Sequence, residues 1–199
     1  FDFFCFFFTD TATTEIYPLS LHDALPISTR LLEEATGYVD AGFKGMKTKI
    51  GGLPMDEDIN RVAALRHAIG PDIKLMVDAN QGYNAPSAIR IGQRLAEHDV
   101  LWFEEPVNAK DVEGYLLVKS ALPMAISGGE NLRTRYEFND FLTRRAYDIV
   151  QPDVINVGGI TEMRNVAMMA NSLGIQVNPH VWGSPIMIEI GRASCRERV

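Results

Sequence analysis

Between Lys44 and His180 the chain repeats one unit: a β-rich run, a polar residue at its end, then a helix-like stretch. The runs are KGMKTKI (44–50), IKLMVDAN (73–80), VLWFEEP (100–106), MAISGGE (124–130), YDIVQPD (147–153) and IQVNPH (175–180). Stretches 58–70, 86–98 and 161–174 carry apolar residues at three- and four-residue spacing, and the last closes on Gly174. Strand, helix and strand at such short spacing predict parallel pairing with right-handed crossovers. The polar strand-end residues Lys49, Asp78, Glu104, Glu130, Asp153 and His180 fall at intervals of 29, 26, 26, 23 and 27. A doubly wound open sheet would gather its chemistry at one switch point. In a (β/α)8 barrel every C-terminal strand end meets at one mouth. The spacing therefore predicts an α/β chain built as an incomplete (β/α)8 TIM barrel, with a leading helix over about 29–41 and six of the eight strands.

The two ends break this pattern. Six of the ten phenylalanines lie in the first eight residues, with neither strand nor helix periodicity and no basic start of the kind a signal peptide has. Residues 10–27, DTATTEIYPLSLHDALPI, resemble the translation of a short-read sequencing adapter, with Pro18 the single departure. The last nine residues, GRASCRERV, resemble its reverse complement. The expected organisation is an adapter-derived leader (1–28), a partial barrel (29–188) and an adapter-derived tail (189–199), the alternative being a genuine N-terminal arm. Both cysteines, Cys5 and Cys195, fall in the flanks. Without the four acids of residues 1–28 and the two net bases of residues 191–199, the net charge of -7 becomes -5.

That acidic balance, with no basic stripe, argues against a nucleic-acid partner. No apolar run approaches the ~18 residues of a membrane span. With no cysteine and no signal in the body, the cytoplasm is the expected location.

Asp78, Glu104 and Glu130 end consecutive strands, and three converging carboxylates resist joint ionisation unless a cation lies between them. An all-oxygen set suits a hard ion, Mg2+ first and Mn2+ second. Singly, each acid could instead cap a helix or pair with an arginine. Lys47 and Lys49, two apart on one strand, point to the same face. Taken alone they would be surface charges; beside a cation site a crowded ammonium releases its proton more readily, which makes Lys49 a candidate base. Asp153 can fix the tautomer of His180 and raise its basicity, placing a second acid/base across the mouth. His67 and His98 fall in helical stretches and read as structural or solvent-facing. Gly128, Gly129, Gly158 and Gly159 read as tight strand-to-helix turns, with anion binding the lesser alternative.

In order, KTK (47–49), VDAN (77–80), WFEEP (102–106), GGE (128–130), QPD with NVGG (151–159) and NPHVWGS (178–184) resemble the enolase superfamily, mandelate racemase group. The resemblance implies that Asp78, Glu104 and Glu130 bind Mg2+, that Lys49 and the His180–Asp153 pair are the catalytic bases, and that Lys47 and Asn80 contact substrate or tune Lys49. The muconate-lactonizing branch would want a lysine where Asp153 stands. The family normally has an eighth strand and an N-terminal capping domain, and the chain is expected to lack both. The implied chemistry is removal of the α-proton of a carboxylate substrate to an enediolate. Within the group the motifs lean toward acid-sugar dehydratases or galactarolactone cycloisomerases, with a racemase or epimerase as the alternative. A catalytically inactive barrel serving as a scaffold would have lost metal or base positions, and a phosphosugar-binding barrel would need a glycine-rich phosphate loop; neither pattern is seen. The expected partner is a small carboxylate, an acid sugar or lactone. The parent enzyme could be a homo-oligomer, and the fragment alone is expected to show little or no turnover.

Overall fold

A computed structural model describes residues 16–18, 29–182 and 185–196. Six strands follow one another through the body: β2 (Gly45–Lys49), β3 (Lys74–Asp78), β4 (Val100–Glu104), β5 (Ala125–Gly128), β6 (Ile149–Val150) and β7 (Gln176–Val177). All pair parallel, each with its neighbour in sequence. The intervening helices are α2 (Met55–Ile69), α3 (Ala85–Leu95), α4 (Val112–Ala121), α5 (Thr134–Thr143) and α6 (Ile160–Ser172), with α1 (Thr29–Asp40) leading and α7 (Pro185–Arg196) closing. This is the partial barrel that the repeat predicts. The leading helix ends one residue earlier than expected, and α4 and α5 complete the expected alternation of strand and helix.

The segment expected to be a leader contributes one element. β1 (Ile16–Pro18) pairs parallel with Gly45–Lys47. An open strand edge presents unpaired amides and carbonyls that accept an extended segment whatever its side chains, and β1 takes that place beside β2. The sheet therefore counts seven strands rather than six, and α7 runs into the segment assigned to the tail. The phenylalanine-rich start with Cys5, most of the leader, Gly183–Ser184 and residues 197–199 lie outside the described residues.

Local signals fix the helix starts. The Asn84 side chain accepts from the Ser87 amide at 3.0 Å, and Asp111 accepts from the Gly114 amide at 2.9 Å. Two apolar layers result. The larger lies between sheet and helices and includes Leu65, Leu75, Val77, Ile91, Phe103, Phe138 and Val166. The smaller, Met76, Trp102 and Ile149, fills the inner face of the sheet below the strand ends. A register shift between Leu75 and Val77 leaves one extra residue on β4. Beyond it the strands run level, so that Lys49 pairs with Asp78 and Asp78 with Glu104 in one row.

At the opposite end of the strands, Arg66 closes the connections. Its guanidinium donates to the carbonyls of Gly70 and Ile73 at 2.7 Å and of His98 and Asp99 at 3.0 Å. Truncation to alanine strips four carbonyls of a charged donor. Urea unfolding of Arg66→Ala should show a loss of about 1–3 kcal/mol, the typical cost when partners of a charged donor are orphaned. An unchanged midpoint would mean that water replaces the guanidinium at no cost.

Candidate active site

The row formed by the register brings the expected residues together. Lys47 is buried and ion-pairs with Glu104 and, at 3.2 Å, with Asp78. Lys49 donates to Asp78 Oδ2 at 2.7 Å. Both lysines therefore face inward, as their spacing predicts. Glu104 Oε2 also accepts from Trp102 Nε1 at 3.1 Å and Gln151 Nε2 at 2.8 Å. On the far side of the row, His180 Nδ1 lies 2.8 Å from Asp153 Oδ2, and its Nε2 lies 3.2 Å from Glu130 Oε2. A backbone bridge between Asp153 and His180 continues the sheet to this pair. Asn80 donates its amide to Asp78 Oδ1 at 2.8 Å, and its side chain reaches Glu130 Oε1 at 3.5 Å.

The electrostatics follow from crowding. Burial alone would raise Asp78, but the ammonium groups of Lys47 and Lys49 outweigh it and hold this carboxyl well below the usual range. For Glu104 burial prevails over Lys47, and with Asp78 and Glu130 adding repulsion it is pushed up to about 7. Asp153 is held down despite burial by His180 and by the amides of Asn156 and Ile155. Burial opposes the charged form of His180, yet the Asp153 hydrogen bond and Glu130 raise it overall.

Several residues beyond the expected set shape the site. Asp58, fully buried on α2, accepts from the Gly51 amide at 2.7 Å, and Arg61 donates to the Lys49 carbonyl. Together they pin the turn that follows the candidate base. Gln151 and Trp102 orient Glu104, and Glu105 is buried beside it. Burial, with Glu130 adding, pushes Glu105 up to about 8; Asn131 opposes, and Asp78 and Glu104 add further repulsion. Only the doubled acid of WFEEP hints at Glu105. The GGE motif differs in part from expectation. Gly128 ends β5 rather than forming a turn, and a Cβ there would meet Tyr115 Oη at 2.9 Å and Tyr147 Cε1 at 3.0 Å. Gly129 is a turn residue with φ +119. His67 is exposed and His98 half-buried, apart from the site as anticipated.

Among the described residues, no three acidic, imidazole or thiol side chains are gathered closely enough to hold a metal ion as they stand. Lys47 and Lys49 stand against the carboxylates instead. The donor chemistry nevertheless fits a hard divalent cation: Asp78, Glu104 and Glu130 offer oxygen alone, and repulsion within this acidic group contributes to the raised Glu104 and Glu105.

A parallel βα sheet with lysines, carboxylates and a His–Asp pair at its strand ends defines a barrel-type α/β domain with its polar site at the strand ends. The family comparison is equally specific. The chain belongs to the enolase C-terminal domain-like family, whose model matches residues 30–195. It is 42% identical over 147 residues to the D-galactarolactone cycloisomerase of Agrobacterium fabrum, covering 74% of this chain and 39% of that protein. It is 40% identical over 151 residues to the arabinonate dehydratase of Saccharolobus solfataricus, covering 76% and 40% respectively. A racemase from Streptomyces coelicolor A3(2) with bound magnesium superposes with a TM-score of 0.82 at 31% identity, over 92% of this chain and 53% of that one. L-Talarate dehydratase from Polaromonas sp. JS666, complexed with Mg and L-glucarate, gives 0.80 at 33% identity, over 90% and 48%. The chain thus spans about two fifths of the length of these two curated relatives. Among the described residues no helix is long and apolar enough to cross a membrane.

Proposed function

We propose that residues 29–188 carry the strand-end site of a Mg2+-dependent enzyme that removes the proton beside the carboxylate of an acid sugar. The observation that carries this reading is the single row of Lys49, Asp78 and Glu104, faced by the Glu130–His180–Asp153 chain. Asp78, Glu104 and Glu130 would hold the ion. When bound, Mg2+ supplies positive charge to a substrate carboxylate that gains a second negative charge as the adjacent carbon loses its proton. Lys47 and Asn80 would then orient the substrate, with Lys47 released from the carboxylates it pairs with here. Lys49 takes the proton from one face. His180, held in one tautomer by Asp153, takes or returns a proton at the other.

The substrate class rests on the relatives. The Agrobacterium and Saccharolobus proteins are named for a sugar lactone and a sugar acid, and the Polaromonas structure holds L-glucarate. Dehydration or lactone isomerisation is therefore the favoured outcome. Racemisation is the second reading, supported by the Streptomyces structure and by a base on each face. The test is deuterium incorporation at the α-carbon of an acid-sugar panel in heavy water with Mg2+, using the uninterrupted genomic reading frame that contains residues 29–188. Mg2+-dependent exchange with at least one acid sugar is expected. Absence of exchange with every member overturns the reading.

A further inference from the structure

We infer that Glu105 is a positioning residue for the cation site, a carboxylate that ties the loop after Asp78 to the loop bearing Glu130. The inference rests on the metal reading above and extends it to a residue outside the three ligands. Alternation along β4 would send Glu105 away from Glu104. Its φ of +40, unusual for a non-glycine residue, turns the chain at that point. The side chain is fully buried and accepts from Asn131 Nδ2 at 2.9 and 3.1 Å through its two oxygens. Oε2 also lies 3.5 Å from Asn80 Nδ2, and the Glu105 carbonyl accepts from the Gln81 amide at 2.8 Å.

Those partners flank the candidate ligands. Asn131 follows Glu130 directly, and Asn80 holds Asp78 through its own amide. One carboxylate thereby spans the loops after β3 and β5, on either side of Glu104. Among the described residues no lysine, arginine or histidine ion-pairs with Glu105. A buried acid beside three others is costly, and glutamine would fill the same volume without that cost. What glutamine cannot do is accept at both oxygens from amide donors, because its own NH2 would then face an NH2 group.

The experiment is Mg2+ titration by calorimetry on the 199-residue chain, with thermal melting in chelator as a control. Glu105→Gln should weaken Mg2+ binding by about 10- to 100-fold, the usual cost of losing an outer-shell partner, with no fall in the melting temperature in chelator. Asn131→Ala, at an exposed position, should weaken binding in the same direction. The double variant should bind no more weakly than Glu105→Gln alone, since both remove one link. Unchanged affinity in Glu105→Gln, or additive losses in the double variant, overturns the inference. If Glu105→Gln does not fold, unchanged affinity in Asn131→Ala overturns it alone. A wild-type chain that takes up no Mg2+ overturns the metal reading and this inference together, whereas an affinity that only the variants fail to change overturns this inference only.

Discussion

Replacing Lys49 with methionine should reduce α-proton exchange by about two to four orders of magnitude for substrate whose α-proton faces Lys49, the range expected when a general base is lost. The side chain is 21% exposed against 5% for Lys47, so Lys49 is the ammonium that opens toward the mouth. Its backbone is held by Arg61, so methionine should occupy the same space without proton-accepting ability. His180→Asn tests the other face. Asparagine can still hydrogen-bond to Asp153 but cannot carry a proton. If the enzyme racemises, each variant keeps exchange for one configuration of substrate and loses it for the other. If it dehydrates, one variant loses exchange while the other keeps exchange and loses product. Deuterium NMR separates these patterns. Exchange equal to wild type in both variants would remove the bases from the mechanism.

The second large effect is on stability, and its sign follows from the buried acids. Glu104 and Glu105 are raised from 4.5 to about 7 and about 8. A group raised on folding contributes stability that is fully present below its unfolded value and is lost as pH rises through its folded value. Without a cation, the chain should therefore lose stability between about pH 4.5 and 8. His180, raised above 6.5, acts in the same sense, its contribution fading as pH climbs through its folded value. Asp78 and Asp153 act oppositely: both are lowered from 3.8, so their contribution is present above that value and lost as pH falls through their folded values. Melting temperature in chelator should pass through a maximum in mildly acidic buffer and fall by at least about 5 °C toward pH 8.5, at about 2–4 °C per kcal/mol for a chain of this size. A divalent cation offsets the charge that causes the fall. Mg2+ should thus raise the melting temperature more at pH 8 than at pH 6. A flat profile in chelator, or Mg2+ stabilisation that shrinks with pH, would contradict the charge balance assigned to the site.

Much of the site is legible in the sequence because strand periodicity and strand-end spacing are local properties. Two-residue alternation turns Lys47 and Lys49 to one face, and both meet Asp78. The regular βα interval carries Asp153 and His180 to neighbouring strand ends, where they meet at 2.8 Å. Other contacts lack such a signal. Gln151 reaches Glu104 across 47 residues, and Arg61 reaches the Lys49 carbonyl from the middle of a helix. The leader strand is invisible for a different reason: an open sheet edge recruits backbone, and backbone carries no sequence signature.

The sequence by itself determined the parallel βα order, the row of strand-end residues and the face each inward side chain takes, since these follow from periods of 2 and 3.6 along the chain. Only the tertiary structure decided that Glu105 is buried with the site. A left-handed backbone turn at Glu105, whose amide donates to the Ser127 carbonyl and whose carbonyl accepts from the Gln81 amide, overrides the alternation that would have sent its carboxylate outward.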